Sequence, residues 1–88
     1  MSTQAEIIVR EGTRPLGRYI LDPGDYVIGK DLSCDILLDI AGISPRHTEI
    51  TVTPDGLLVR DLDSTNGTYL GESAVEGATA VKFSGANP

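Results

Sequence analysis

The stretch Asp61-Leu62-Asp63-Ser64-Thr65-Asn66-Gly67-Thr68 decides how the chain is read. An apolar run, Gly56-Leu57-Leu58-Val59-Arg60, leads into it, and a shorter one, Thr68-Tyr69-Leu70, leaves it. Asn-Gly between two strand-like runs is a strong turn signal, because both residues tolerate the positive φ of tight turns. A turn needs only that pair. This one adds Asp63, Ser64 and Thr65, short polar side chains gathered at one end of a sheet. The segment is either a well-made connection or a binding edge, and the rest of the sequence must decide between them.

Working outward, β-branched and aromatic residues alternate with polar ones in short runs. Strands are expected at 6–10, 16–21, 26–28, 36–38, 47–53, 57–62 and 68–70. The longest alternating run is His47-Thr48-Glu49-Ile50-Thr51-Val52-Thr53, with Thr48, Ile50 and Val52 on one face and Glu49, Thr51 and Thr53 on the other. Turn residues separate the runs: Gly12 and Pro15, Asp22-Pro23-Gly24-Asp25, Gly42 and Pro45, and Pro54-Asp55-Gly56. Apolar residues nowhere recur at helical spacing over more than about two turns. Short strands at this spacing indicate an all-β sandwich or barrel. One domain is expected over 5–83, with 1–4 and 84–88 as frayed ends.

Composition narrows the function classes. The chain has 88 residues, and a domain of this size buries about 60–65% of its unfolded surface. No apolar run approaches the roughly 18 residues of a membrane-spanning helix, and Met1-Ser2-Thr3-Gln4 carries no signal-peptide pattern. The single cysteine, Cys34, excludes an internal disulfide framework. It reads as a small buried thiol in a reducing compartment, which makes a cytoplasmic location the expectation. The formal net charge of −6 argues against nucleic acid as the main ligand. The seven basic residues are spread along the chain, so an anionic ligand requires a few of them to converge locally.

Three loops supply such a convergence. Gly29-Lys30 follows one strand, Ser44-Pro45-Arg46-His47 precedes the next long one, and Ser64-Thr65-Asn66-Gly67 precedes the last. Loops of an antiparallel sandwich alternate between its two ends, and these three fit on one. Together they offer an ammonium, a guanidinium, the hydroxyls of Ser44, Ser64 and Thr65, an amide and free backbone N–H groups. That is donor chemistry for a phosphate dianion.

At this point the chain resembles a forkhead-associated (FHA) domain, a phosphothreonine-recognition module. The residues that carry the resemblance are Gly29-Lys30, Ser33-Cys34-Asp35-Ile36-Leu37-Leu38-Asp39, Ile43-Ser44-Pro45-Arg46-His47-Thr48-Glu49-Ile50, and the segment from Asp61 to Leu70. The resemblance implies a twisted β-sandwich of the FHA/SMAD-like kind, mostly antiparallel, with binding loops at one end. It implies that Ser44 hydrogen-bonds the phosphate, that Thr65 helps complete the pocket, and that Asn66 holds the main chain of the bound peptide. His47 braces the loops from behind, and Gly29 and Gly67 set backbone geometry. A small pocket for the threonine methyl favours phosphothreonine over phosphoserine. The implied partner is a Thr-phosphorylated protein or peptide in Ser/Thr-kinase signalling or assembly.

Three departures from the family pattern matter. Lys30 stands where Gly is usually followed by Arg, which keeps the charge and loses the bidentate fork. Pro45 stands where Arg often follows Ser, with Arg46 one residue later as the remaining basic candidate. The pattern normally closes with further strands after a Gly-Asp turn, whereas residues 74–83 are followed here by only five more. An uncovered sheet edge invites a homodimer or strand exchange.

Competing readings are weaker. Ser44, His47 and Asp61 or Asp63 suggest a catalytic triad, but no nucleophile-elbow motif accompanies them, and no enzyme is expected. Asp35, Asp39, Asp61 and Asp63 match no Ca²⁺ loop and read as turn formers and solvated charges. Neither a Walker-type loop nor a dinucleotide fingerprint is present, so no cofactor and no metal are expected. The remaining alternative is an FHA-like docking or scaffold domain whose interactions are independent of phosphate.

Overall fold

The computed structural model describes residues 4–11, 13–71, 73–75 and 77–82, with Val81 and Lys82 described by their backbone alone. Nine strands follow one another: β1 (Ala5–Glu11), β2 (Arg14–Leu21), β3 (Gly24–Gly29), β4 (Ile36–Leu37), β5 (Thr48–Thr53), β6 (Gly56–Asp61), β7 (Tyr69–Leu70), β8 (Ser73–Ala74) and β9 (Ala78–Lys82). Seven correspond to the expected strands. β8 and β9 were not expected from sequence, because Ala- and Gly-rich segments carry little strand signal. The expected frayed ends, residues 1–3 and 84–88, lie outside the described residues, as do the Gly12 turn position and Phe83. Gln4, expected to fray, donates from Nε2 to Asp22 at 2.9 Å.

The strands form a five-stranded sheet in the order β4-β3-β5-β6-β9 and two separate pairs, β1-β2 and β7-β8. All pairings are antiparallel except β3 with β4. Side-chain alternation fixes the register. Thr48, Ile50 and Val52 are buried on β5, and their partners on the same face are Ile28 and Tyr26 on β3 and Asp61, Val59 and Leu57 on β6. Across the core, Ala5 and Leu21 of the β1-β2 pair are buried, as is Val75 just after β8. Ile7, Val9, Tyr19 and Leu70 pack against the same cluster. The two pairs thus cover the inner face of the larger sheet, which is the two-layer arrangement of a sandwich.

The Asn66-Gly67 segment is not a hairpin. β6 pairs with β5 and β9, while β7 pairs with β8, so residues 62–68 cross from one layer to the other. Nor do both expected residues take positive φ: Asp63 (56°) and Gly67 (87°) do, and Asn66 does not. Asn66 remains in a conformation that aims its side chain at a neighbouring loop, described next.

Candidate functional site

The three loops chosen from sequence meet at one end of the sandwich, and backbone contacts hold them there. Lys30 N–H donates to Ser44 O (3.1 Å), and Asp31 N–H donates to Pro45 O (3.0 Å). The close approach depends on Gly29, since a Cβ there would lie 2.1 Å from Pro45 O. No side chain fits against a fixed carbonyl at that distance. Cys34, expected to be buried, is half-buried instead, and its thiol donates to the same Pro45 carbonyl at 3.1 Å. Asp35 accepts Val27 N–H at 2.8 Å, so it braces the loop and is not merely a solvated charge.

His47 ties the second loop to the third. It is buried, and both ring nitrogens are engaged. Nδ1 accepts Ser44 N–H (3.1 Å), and Nε2 faces Gly67 O (2.7 Å). A backbone N–H can only donate and a carbonyl can only accept, so the ring is the neutral tautomer with its proton on Nε2. The ring thus links the Ser44 and Gly67 main chains. It also dissolves the imagined triad, because the ring meets the Ser44 main chain and leaves no nitrogen for its hydroxyl.

Ser44 and Thr65 form the centre of the cleft. Ser44 Oγ accepts Thr65 N–H at 3.0 Å and lies 3.5 Å from Thr65 Oγ1. The first contact occupies an acceptor lone pair, and the Ser44 O–H donates only over the long 3.5 Å contact to Thr65 Oγ1. Asn66 Nδ2 donates to Gly42 O at 2.8 Å, which orients the amide and leaves its second N–H and its oxygen available. Gly42, Ile43, Ser44, Pro45, Thr65 and Asn66 line an open cleft of about 260 Å³. Lys30 and Arg46 are exposed and stand outside that lining. The Lys30–Ser44 backbone bond nevertheless places Lys30 directly beside the Ser44 loop.

The third loop has its own internal frame. Ser64, offered from sequence as a phosphate donor, turns inward: its hydroxyl donates to Asp61, and its oxygen accepts Gly67 N–H at 2.9 Å. Ser64 N–H and Thr68 Oγ1 also donate to Asp61, at 3.2 and 2.8 Å, and Thr68 Oγ1 lies 2.7 Å from Thr48 Oγ1. Partial burial alone would raise the Asp61 carboxyl's pKa. The bonds from the Ser64 and Thr68 hydroxyls and from Ser64 N–H outweigh that and hold it below its ordinary value. Asp61 is therefore the hub of the loop, which agrees with its reading as a turn former and not as a solvated charge. The Asp61/Ser64 spacing, an acceptor three residues before a short hydroxyl, was the available signal. Ile43 and Gly42 carried no comparable signal.

The FHA domain family model matches residues 26–84, well over half of the sequence. The chain belongs to the FHA family. Among curated relatives, it is 32% identical over 77 residues to the glycogen accumulation regulator GarA of Mycolicibacterium smegmatis, covering 88% of this chain and 49% of GarA. The chain therefore spans about half the length of the curated relatives it matches. Among solved structures, an FHA domain studied for its phosphothreonine-dependent interactions superposes with a TM-score of 0.73 at 29% identity, covering 90% of this chain and 79% of that one. The FhaA FHA domain, solved in complex with the intracellular domain of Rv3910, superposes with a TM-score of 0.68 at 30% identity, covering 84% and 78%. In this FHA domain, the loops that carry the family motif are those that converge on the cleft. No helix among the described residues is long and apolar enough to cross a membrane.

Proposed function

We propose that this FHA domain, folded as one unit over residues 5–83, binds a phosphothreonine-containing segment of a partner protein without catalysing a reaction. The observation that carries the reading is the Ser44–Thr65 contact, in which Thr65 N–H fixes Ser44 Oγ while the Ser44 O–H makes only a long 3.5 Å contact to Thr65 Oγ1, which a phosphate oxygen can replace as acceptor. A phosphate seated there receives Ser44 O–H and Thr65 Oγ1, with Lys30 beside it as a charge-assisted donor. Arg46, exposed on the same loop, extends the positive charge. The free edge of the Asn66 amide is positioned for the peptide main chain on either side of the phosphothreonine. Ile43 and Pro45 give the cleft an apolar wall suited to the threonine methyl. The phosphothreonine-dependent FHA domain that superposes on the chain supports the same reading, as does GarA, a regulator. The context is Ser/Thr-kinase signalling in a cytoplasmic compartment.

The test is Ser44→Ala, measured by fluorescence anisotropy with phosphothreonine peptides. Loss of a hydrogen bond to a charged group costs about 1.5–2 kcal/mol, which is roughly a 10- to 30-fold weaker complex. Unchanged affinity in Ser44→Ala and Asn66→Ala would remove these residues from the site. Equal wild-type affinity for phosphorylated and unphosphorylated peptides would favour the phosphate-independent docking reading.

A further inference from the structure

Charge is distributed unevenly over the fold. Residues 5–21 hold Arg10, Arg14 and Arg18 against Glu6 and Glu11, a formal +1. The remainder holds four basic residues against eleven acidic ones, a formal −7. The loops that build the cleft share this acidity, with Asp31, Asp35, Asp39, Asp61 and Asp63 against Lys30 and Arg46. Outside the cleft, the β1-β2 hairpin is thus a segment of net positive charge that suits an anionic partner.

The hairpin also divides in two along its length. Ala5, Ile7 and Val9 on β1 and Tyr19 and Leu21 on β2 join the core. Beyond the bulge between Val9 and Arg10, the described residues Arg10, Glu11, Thr13, Arg14 and Pro15 are all exposed. Arg18 pairs with Glu6, whereas Arg10 and Arg14 have no ion pair among the described residues. The outer part of the hairpin is therefore an arm that carries Arg10 and Arg14 against Glu11, the cross-strand partner of Arg14, a formal +1.

Strand direction places this arm at the cleft end. β2 runs into the short Asp22-Pro23 turn and β3 runs out of it, in layers that share one core. The start of β2 and the end of β3 consequently lie at the same end of the sandwich. β3 ends at Gly29, against the Ser44 loop. The molecule measures 26 × 24 Å across its two shorter axes. An extended peptide advances about 3.3 Å per residue, so roughly eight residues beyond a phosphothreonine in the cleft span the longer of these widths.

We propose that the β1-β2 arm is a second contact surface for the phosphorylated partner, and that Arg10 and Arg14 take an acidic segment flanking the phosphothreonine. The proposal rests on the phosphothreonine reading of the cleft. The rest of the chain is predominantly acidic, so the arm favours one side of the phosphothreonine for an acidic segment. The gain is electrostatic and largely exposed, so it falls as salt rises.

The experiment compares four peptides by fluorescence anisotropy: a phosphothreonine peptide with neutral flanks, the same with an acidic run before or after the phosphothreonine, and an unphosphorylated neutral control. The wild-type chain should bind one acidic peptide about 5- to 30-fold more tightly than the neutral one at low salt, with the gain shrinking at high salt. In Arg10→Gln/Arg14→Gln the gain should disappear, while affinity for the neutral phosphothreonine peptide and the melting temperature stay unchanged. No acidic preference in the wild type, or equal weakening of both peptides in the variant, overturns the arm. Failure of the wild type to distinguish the neutral phosphothreonine peptide from its unphosphorylated control overturns the cleft reading, and the arm with it.

Discussion

Truncating His47 to alanine tests how the cleft is held together. The imidazole is 7% exposed and joins two loops, through Ser44 N–H at 3.1 Å and Gly67 O at 2.7 Å. His47→Ala leaves both backbone groups without their partner. Each hydrogen bond contributes about 0.5–1.5 kcal/mol net, and each group left unsatisfied away from water costs about 1–3 kcal/mol. Water admitted through the open cleft offsets part of this, so a loss of about 2–3 kcal/mol is expected. At about 0.05–0.15 kcal/mol per residue, a chain of 88 residues has roughly 4–13 kcal/mol to lose. At about 4–8 °C per kcal/mol, the thermal midpoint should drop by roughly 8–24 °C. Circular dichroism melts and urea titrations measure both quantities. His47→Asn retains an acceptor near the Nδ1 position and should fall between the two, because it recovers the Ser44 bond and not the Gly67 bond. A His47→Ala midpoint within about 3 °C of wild type would refute the bracing role, as would His47→Asn behaving no better than alanine.

Gly29→Ala should part the first and second loops, because the added methyl meets Pro45 O at 2.1 Å. Urea melts should show a loss of about 2 kcal/mol or more, with phosphopeptide affinity falling as Lys30 moves away from Ser44. Asp61 is expected to control acid stability. Its folded pKa lies below the ordinary 3.8, so its contribution is complete above that value and is lost as pH falls through the folded one. Wild type should therefore exceed Asp61→Asn in urea midpoint near neutrality, and the gap should close below about pH 4; a gap independent of pH would contradict the assignment. Lys30→Arg restores the planar fork and should tighten phosphopeptide binding several-fold, read by anisotropy. No gain would mean that the ammonium already serves the phosphate fully.

Much of this architecture is legible in the sequence, for reasons that differ from element to element. β5 is legible because Thr48, Ile50 and Val52 alternate with Glu49, Thr51 and Thr53, and burial follows that alternation. The loops are legible because Gly29, Ser44, His47 and the run from Ser64 to Gly67 occur in family order. β9 is not, since Ala78, Thr79 and Ala80 have small side chains, and its place beside β6 is settled by the register of Leu58 with Ala80. The Asn66-Gly67 signal was correct as a loop and silent on pairing, because local turn chemistry does not specify which strand pairs next. Ser64 shows a further limit: its type suits a phosphate donor, but Asp61 three residues earlier draws it inward. Lys30 and Arg46 flank the cleft and do not line it, a distinction that side-chain type alone does not carry.

The most direct test of the central claim is an amide NMR titration of the isotope-labelled chain with matched phosphothreonine, phosphoserine and unphosphorylated peptides. The cleft reading predicts shifts confined to Lys30, residues 42–47 and residues 65–67, produced by the phosphothreonine peptide and much weaker with the other two. Shifts that are the same for all three peptides, or that fall on the outer sheet face and leave Ser44, Thr65 and Asn66 unmoved, would contradict it.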